Sequence, residues 1–367
     1  MTRHYLDHAS TSPLRPEALA AMVEWLGRSG DPGRIHAEGL EARRGVETAR
    51  EQVASLLGAR PRSVVFTSGA TEAIAAACWG AAERGAHQVL AAVEHSAVRL
   101  AAEAHGEVTV VGVDGLGRVD PDELLGAVRP DTALVHLQWG NHEVGTRQPV
   151  AEVVAACRER GLLVHVDAAQ AAGHDPIAFD DLGADLLSVS AHKLGGPPGL
   201  GALLVRRGLR LRPLLVGGDQ ERARRAGLEP VAAIAGFGAA TSAIDTERES
   251  MTQRLLTNRV LAAAPTLDGV HVYGDPNDRL PHLVCLGIDG IEPQAVLLGL
   301  DRAGVAAHSG SACSSEALEP SPVLEAMGVD AHRSLRLSVG WPSTDADITA
   351  ALDALPKILA DLRALAR

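Results

Sequence analysis

The sequence predicts an α/β protein, with a large domain built on a mainly parallel central sheet flanked by helices and a smaller C-terminal α+β domain. Three observations carry this. Short runs rich in Val and Leu alternate with longer helix-like stretches through the first two thirds of the chain. The runs do not alternate in polarity, the pattern of strands covered on both faces. After about residue 245 the order changes to long helices between isolated strands.

Taken in order, SVVFTS reads as a strand and TEAIAAACWGAAERG as a helix, then HQVLAAV and EHSAVRLAAEAHG, then TALVHLQW and VAEVVAACRERG. LLVHVDAAQ, ADLLSVSAHK and GALLVRR follow as further strands. The later part reads as helix TERESMTQRLLTNRVLAAA, strand HLVCLGIDG, helix PQAVLLGLDRAG, strand SLRLSVG and a long final helix. That last helix should start at Ser343 or Thr344, with Asp345 and Asp347 in its first turn complementing the helix dipole.

Bulk properties narrow the function. The 367 residues are enough for two cores, and 46% hydrophobic with 22% charged residues is ordinary for a globular chain. Aromatics make up only 2%, so Ala, Leu and Val must do most of the packing. A formal charge of −12 gives no basic face for a phosphate backbone, so no nucleic-acid partner is expected. The start MTRHYLDHAS has no apolar leader core and no stretch is long and uncharged enough to span a membrane, so a cytoplasmic protein without a membrane partner is expected. Cys78, Cys157, Cys285 and Cys313 lie far apart with no CxxC, which points away from a disulfide framework or a zinc site.

Four stretches carry candidate chemistry. VVFTSGATEA passes from strand through a small-residue turn into a helix, where backbone amides and Thr71 can cradle a phosphate; an ordinary capped turn would look the same. Asp167 ends an apolar strand, where open parallel sheets place ligands, with Gln170 three residues on. A helix-capping aspartate is the alternative there. Ser190-Ala191-His192-Lys193 precedes a Gly- and Pro-rich turn, and a lysine desolvated in such a pocket loses its proton and can form a Schiff base with an aldehyde. SGSACSSEALEP sets Cys313 among small residues.

SGATE, Glu94-His95, DAAQ, SAHK and GSACSS, in this order and spacing, resemble the cysteine desulfurases, pyridoxal-phosphate enzymes of fold type I in the class V aminotransferase group. The likeness runs from YLDHASTSP to the final helix. It implies a cofactor-binding large domain at residues 14–245, and a small domain made of residues 1–13 and 246–367 that carries the Cys313 loop and Arg336.

The resemblance implies the following roles. Lys193 is the Schiff-base lysine, Asp167 the partner of the pyridine nitrogen, and Gln170 the neighbour of the ring hydroxyl. His95 is the imidazole stacked on the cofactor and moving protons, a task suited by a pKa near neutrality. Ala70, Thr71, Ser190 and His192 form the phosphate cradle, and Arg336 grips the substrate carboxylate with its planar fork. Cys313 is the nucleophile that takes sulfur from L-cysteine as a persulfide, leaving alanine. The other three cysteines read as core. A homodimer is expected, with a sulfur-acceptor protein as partner: an iron–sulfur scaffold, a tRNA-thiolation enzyme or a biosynthetic carrier.

Three stretches depart from the family pattern. In GNHEVGT, His142 stands where relatives have the second Asn of Asn-Asn-Glu, with Asn141 one residue early, so either is a candidate beside the ring and the substrate carboxylate. Gly217-Gly218-Asp219-Gln220-Glu221-Arg222 and Arg225-Ala226-Gly227-Leu228 replace Gly-Gly-Gly-His-Glu-Arg and Arg-Ser-Gly-Thr, so Leu228 removes a hydroxyl that in relatives crosses to the partner subunit's phosphate, and Arg222 or Arg225 is left to compensate. GDPGRIHAEG is one residue short and has Asp31 in place of Asn. Two other functions fit parts of the pattern: a selenocysteine lyase or other C–S lyase, for which Cys313 is helpful or dispensable, and a scaffold that has lost its chemistry.

Overall fold

The computed structural model describes residues 3–310 and 320–365. Among them are twelve strands: β1 (His4–Tyr5), β2 (Val64–Thr67), β3 (His87–Ala91), β4 (Glu107–Val111), β5 (Thr132–Gln138), β6 (Val164–Asp167), β7 (Leu186–Ser190), β8 (Gly201–Val205), β9 (Val270–Tyr273), β10 (Leu283–Ile288), β11 (Val305–Ala306) and β12 (Ser334–Ser338).

Seven strands form the large sheet in the order β2-β8-β7-β6-β5-β3-β4. The pairs from β7 through β6, β5 and β3 to β4 are parallel, while β8 runs antiparallel to both β7 and β2. The expected mainly parallel sheet flanked by helices is what the chain forms. Every residue of β2, β3, β5, β6, β7 and β8 is buried, which explains why these runs carry no polar alternation. The edge strand β4 is largely exposed and mixed in polarity, and the sequence did not mark it as a strand. A second sheet, β12-β10-β9, is antiparallel, and β1 pairs in parallel with β11, bringing the start of the chain onto its later part.

Two large apolar clusters lie under these sheets. One is centred on the seven strands and also takes Cys285, Val323 and Leu324; the other joins Leu6 to residues between Leu256 and Leu359. The helices Pro16–Leu26, Ala37–Leu56 and Val231–Ser242 pack together on the large sheet's side of the molecule. Val231–Ser242 is apolar almost all round, so it carries no helical period to read. The final helix, Asp345–Leu365, starts as expected: the Thr344 amide and hydroxyl both reach Asp347 Oδ2, at 2.7 and 2.8 Å. No helix among the described residues is long and apolar enough to cross a membrane.

Candidate functional site

The carboxyl ends of β2, β5, β6 and β7 meet at one edge of the large sheet, where a cavity of about 300 Å3 opens. β2 leads through Gly69 into the helix Ala70–Ala81, and the Ala70 amide donates to Ser190 Oγ at 3.1 Å. Thr71 stands exposed in the first turn of that helix. β8 passes close beneath: a Cβ on Gly201 would lie 2.5 Å from the Val189 carbonyl oxygen and 2.7 Å from Gly69 Cα, so only glycine fits there.

Asp167 closes β6, and its Oδ1 accepts from the Ala169 amide at 3.0 Å and from Ser188 Oγ at 3.1 Å. Lys193 lies in the single turn Ala191–Leu194 that links β7 to β8. Burial pulls its amine down to about 8 against the attraction of Asp167, with Arg336 adding to the fall. Burial and the neighbouring Lys193 likewise lower His192 to about 4. Gln170 is held at both ends, its Nε2 donating to the Ala9 carbonyl at 2.8 Å and its Oε1 meeting His282 Nε2 at 3.1 Å.

His95 caps the helix Ser96–Glu103, its Nδ1 accepting from the Ala97 amide at 3.1 Å. The neutral ring therefore carries its proton on Nε2. Its pKa is about 4, not near neutrality, because burial together with His142 and Lys193 outweighs Asp167. The His142 ring stands edge-on to it, centroids 5.0 Å apart, and its buried Nδ1 has no partner among the described residues. Arg336, on β12, is 3% exposed; its Nη1 donates to the His142 carbonyl at 2.8 Å and its Nη2 to Asp7 at 3.0 Å and Ser10 at 2.8 Å, while Nε has no partner among the described residues.

Ala70, Thr71, His95, His142, Asp167, Gln170, Ser190, His192, Lys193 and Arg336 all line the cavity. Asn141 does not: its Nδ2 donates to the Val93 carbonyl and its Oδ1 accepts from the amides of Glu143 and Val144, so the side chain is spent on shaping its own turn. Of the two candidates in GNHEVGT, only His142 reaches the cavity. Cys313 lies outside the described residues; the described chain stops at Gly310, two residues after His308, which lines the cavity. Burial raises the thiols of Cys78 to about 12 and Cys157 to about 11, and that of Cys285 further, as suits core residues.

The substitutes suggested for Leu228 are committed elsewhere. Arg225 Nε meets Glu72 Oε1 at 2.9 Å and Arg222 Nη2 meets Glu47 Oε2 at 2.9 Å. Sequence reading passed over Asp7 and Ser10, which hold Arg336, and Gln138, which lines the cavity; His308, noticed in sequence only as a neighbour of Cys313, lines it too. Asp7 and Ser10 sit inside YLDHASTSP, so that segment carried the signal without the roles. Among the described residues no His, Cys, Asp and Glu group is arranged to hold a metal.

Comparison with known proteins agrees with this geometry. The family model Aminotransferase class-V matches residues 4–351. The cysteine desulfurase IscS of Dictyoglomus turgidum is 39% identical over 376 residues, covering 98% of this chain and 95% of that one. A cysteine desulfurase of Cereibacter sphaeroides is 42% identical, covering 100% of this chain and 98% of its own. Among solved structures, a NifS-like protein matches with a TM-score of 0.91 at 31% identity, over 98% of this chain and all of that one. With the family pattern running almost from end to end and about two fifths of positions shared with named relatives, the chain belongs to the cysteine desulfurases of the class-V aminotransferase family.

Proposed function

We propose that this chain is a pyridoxal-phosphate-dependent cysteine desulfurase that converts L-cysteine to L-alanine and leaves the sulfur as a persulfide on Cys313 for an acceptor protein. The observation that carries this is the convergence of Lys193, Asp167, His95 and Arg336 on one cavity. The residues fit the cofactor. The Ala70 amide, Thr71, Ser190 and His192 gather at a helix N-terminus suited to a phosphate. Asp167 offers a carboxylate to the cavity, and His142 Nδ1 and Arg336 Nε, on two residues that line it, are buried polar atoms with no partner among the described residues.

When bound, the cofactor supplies an electron sink for the substrate's α-carbon. Lys193, with its amine at about 8, keeps a free-base fraction near neutral pH that a surface lysine lacks, so it can attack an aldehyde and carry protons. His95 acts as a donor, since its proton sits on Nε2. Asp7, Ser10 and the His142 carbonyl hold the Arg336 fork in place, so a substrate carboxylate meets a clamp already aimed. The Cys313 thiolate attacks the substrate sulfur: an S–S bond forms, the C–S bond breaks, and its electron pair stays on carbon and takes a proton. Cysteine plus thiol thus gives alanine plus persulfide with no external oxidant.

We infer a homodimer as the working form. Residues 209–215 with Arg224 and Arg225 line an apolar cavity of about 250 Å3, and in the same stretch of chain Val216 and Leu228 are 79% and 62% exposed. We also keep the division into a cofactor-binding domain, 14–245, and a clamp-bearing one, 1–13 with 246–367; Leu6 joining the later apolar cluster supports it.

The test is to incubate the purified chain with pyridoxal phosphate and cysteine, assay alanine, and look by mass spectrometry for one added sulfur on the Cys313 peptide. Equimolar alanine and sulfane sulfur is expected. No alanine would sink the reading, and alanine formed equally well by Cys313→Ala would replace the persulfide route with a C–S lyase.

A further inference from the structure

A row of polar side chains crosses four adjacent strands of the large sheet: Gln88 on β3, His136 on β5, His165 on β6 and Ser188 on β7. Each is at most 1% exposed. Gln88 is placed with Oε1 facing His136 Nε2 at 2.8 Å, His136 Nδ1 meets His165 Nδ1 at 3.0 Å, His165 Nε2 meets Ser188 Oγ at 3.1 Å, and Ser188 Oγ meets Asp167 Oδ1 at 3.1 Å. His136 also touches Cys78 Sγ at 3.8 Å.

The donor and acceptor rules leave this chain one direction. A carboxylate only accepts, so Ser188 spends its hydroxyl proton on Asp167. Ser188 Oγ then accepts from a proton on His165 Nε2, which leaves His165 Nδ1 bare and commits His136 to a proton on Nδ1. His136 Nε2 is then an acceptor too, so the end of the Gln88 amide that faces it must be the nitrogen. With Oε1 facing the ring, as placed, two acceptors would face each other at 2.8 Å and Gln88 Nε2 is buried with no partner among the described residues, so the relay requires the amide turned end for end. Burial works in the same sense, lowering His136 well below its ordinary range and His165 to about 4, so both rings stay neutral with one proton each. The groups facing the two rings are each other, Gln88, Cys78, Ser188 and Asp167, and none of them is a cation.

We propose that Gln88, His136, His165 and Ser188 are positioning residues that form a one-way hydrogen-bond relay ending on Asp167 Oδ1 and turn the other carboxylate oxygen towards the cavity. Both protein donors to this carboxylate among the described residues go to Oδ1, leaving Oδ2 for a donor in the cavity. Read with the proposed function, on which this role rests, that donor is the cofactor's ring nitrogen. A hydrogen-bonded polar network inside a sheet also fixes one arrangement where an apolar core would allow several, and here only the far end of the Gln88 amide lacks a partner among the described residues.

The first test needs no variant of the relay to fold. Nitrogen-15 spectra of histidine-labelled protein, with and without pyridoxal phosphate, should show His165 protonated only on Nε2 and His136 only on Nδ1, unchanged from pH 6.5 to 8.5. A doubly protonated ring at either position, or the opposite tautomers, would overturn the relay. The second test is cofactor affinity by fluorescence titration: His165→Leu and Ser188→Ala should bind pyridoxal phosphate about tenfold more weakly, while His165→Gln, which can still donate to Ser188, should stay within about twofold of the parent. Parent-like affinity in folded His165→Leu would refute the positioning role. Failure of the parent itself to bind the cofactor would instead refute the proposed function, and the tautomer measurement would still stand.

Discussion

Buried charge is handled in opposite ways at two places in this molecule. Arg50 and Glu221 form a closed pair: both Arg50 Nη atoms reach the carboxylate at 2.7 Å, Glu221 Oε2 also accepts the Phe66 amide at 2.9 Å, and the guanidinium lies over the Phe66 ring. To make this pair, Glu221, Arg222 and Ala223 adopt left-handed backbone with φ from 48 to 59°, a conformation that costs non-glycine residues energy. Around Lys193 the charges are also buried but incomplete, with His142 Nδ1 and Arg336 Nε without a partner among the described residues. The first arrangement is finished by the protein and so holds the fold. The second needs an outside molecule to finish it, which is what a binding site is.

The sharpest way to break this contrast is at its reactive end. Lys193→Ala should lower alanine formation by about a thousandfold or more, with an unchanged melting temperature, because on the proposed mechanism it removes the nucleophile and proton carrier but no structural bond. A large loss of stability would show that the pocket, too, is structural. Cys313→Ala should abolish the persulfide peptide and cut turnover by about a hundredfold, measured as alanine from cysteine.

The closed pair should respond in the other currency. Glu221→Ala strands a buried guanidinium and should destabilise the chain by about 3 to 5 kcal/mol in urea titrations, while refolded protein keeps its lysine and aspartate in place. Arg336→Lys keeps the charge but loses the fork, so KM for cysteine should rise by roughly ten- to a hundredfold, about 1.4 to 2.8 kcal/mol, with a smaller change in kcat.

The gentlest test is acid. His8, His95, His165, His174 and His192 all sit at about 4 in the fold, chiefly through burial, against about 6.5 when unfolded. Below pH 6.5 the unfolded chain binds the extra protons first, so the contribution of these rings to stability should be flat above that value and fall steadily as pH drops towards 4. Melting temperatures that stay level from pH 7 to 5 would show that these rings are not held neutral.

What the sequence disclosed follows from how local each signal is. Asp167, Lys193 and Thr71 sit at strand ends, where an apolar run followed by a small or polar residue marks both the element and the edge that binds ligands. The holding contacts were invisible because their partners are remote: Asp7 with Arg336 is 329 positions apart, and Arg50 with Glu221 is 171. Asn141 illustrates a second limit. Sequence register placed it next to His142, but one step along a turn decides whether a side chain faces the cavity or its own backbone.

The parallel pairing of β1 with β11, and of Asp7 with Arg336, gives the molecule a temporal order during its own synthesis. At about 5 to 20 residues per second, Asp7 waits roughly 15 to 65 s before its arginine leaves the ribosome. Lys193 and Asp167 emerge well before then, on strands that pair with neighbours already made or soon to follow. On the proposed roles, Lys193 and Asp167 are therefore made well before Arg336, and the substrate clamp is completed only in the last tenth of translation.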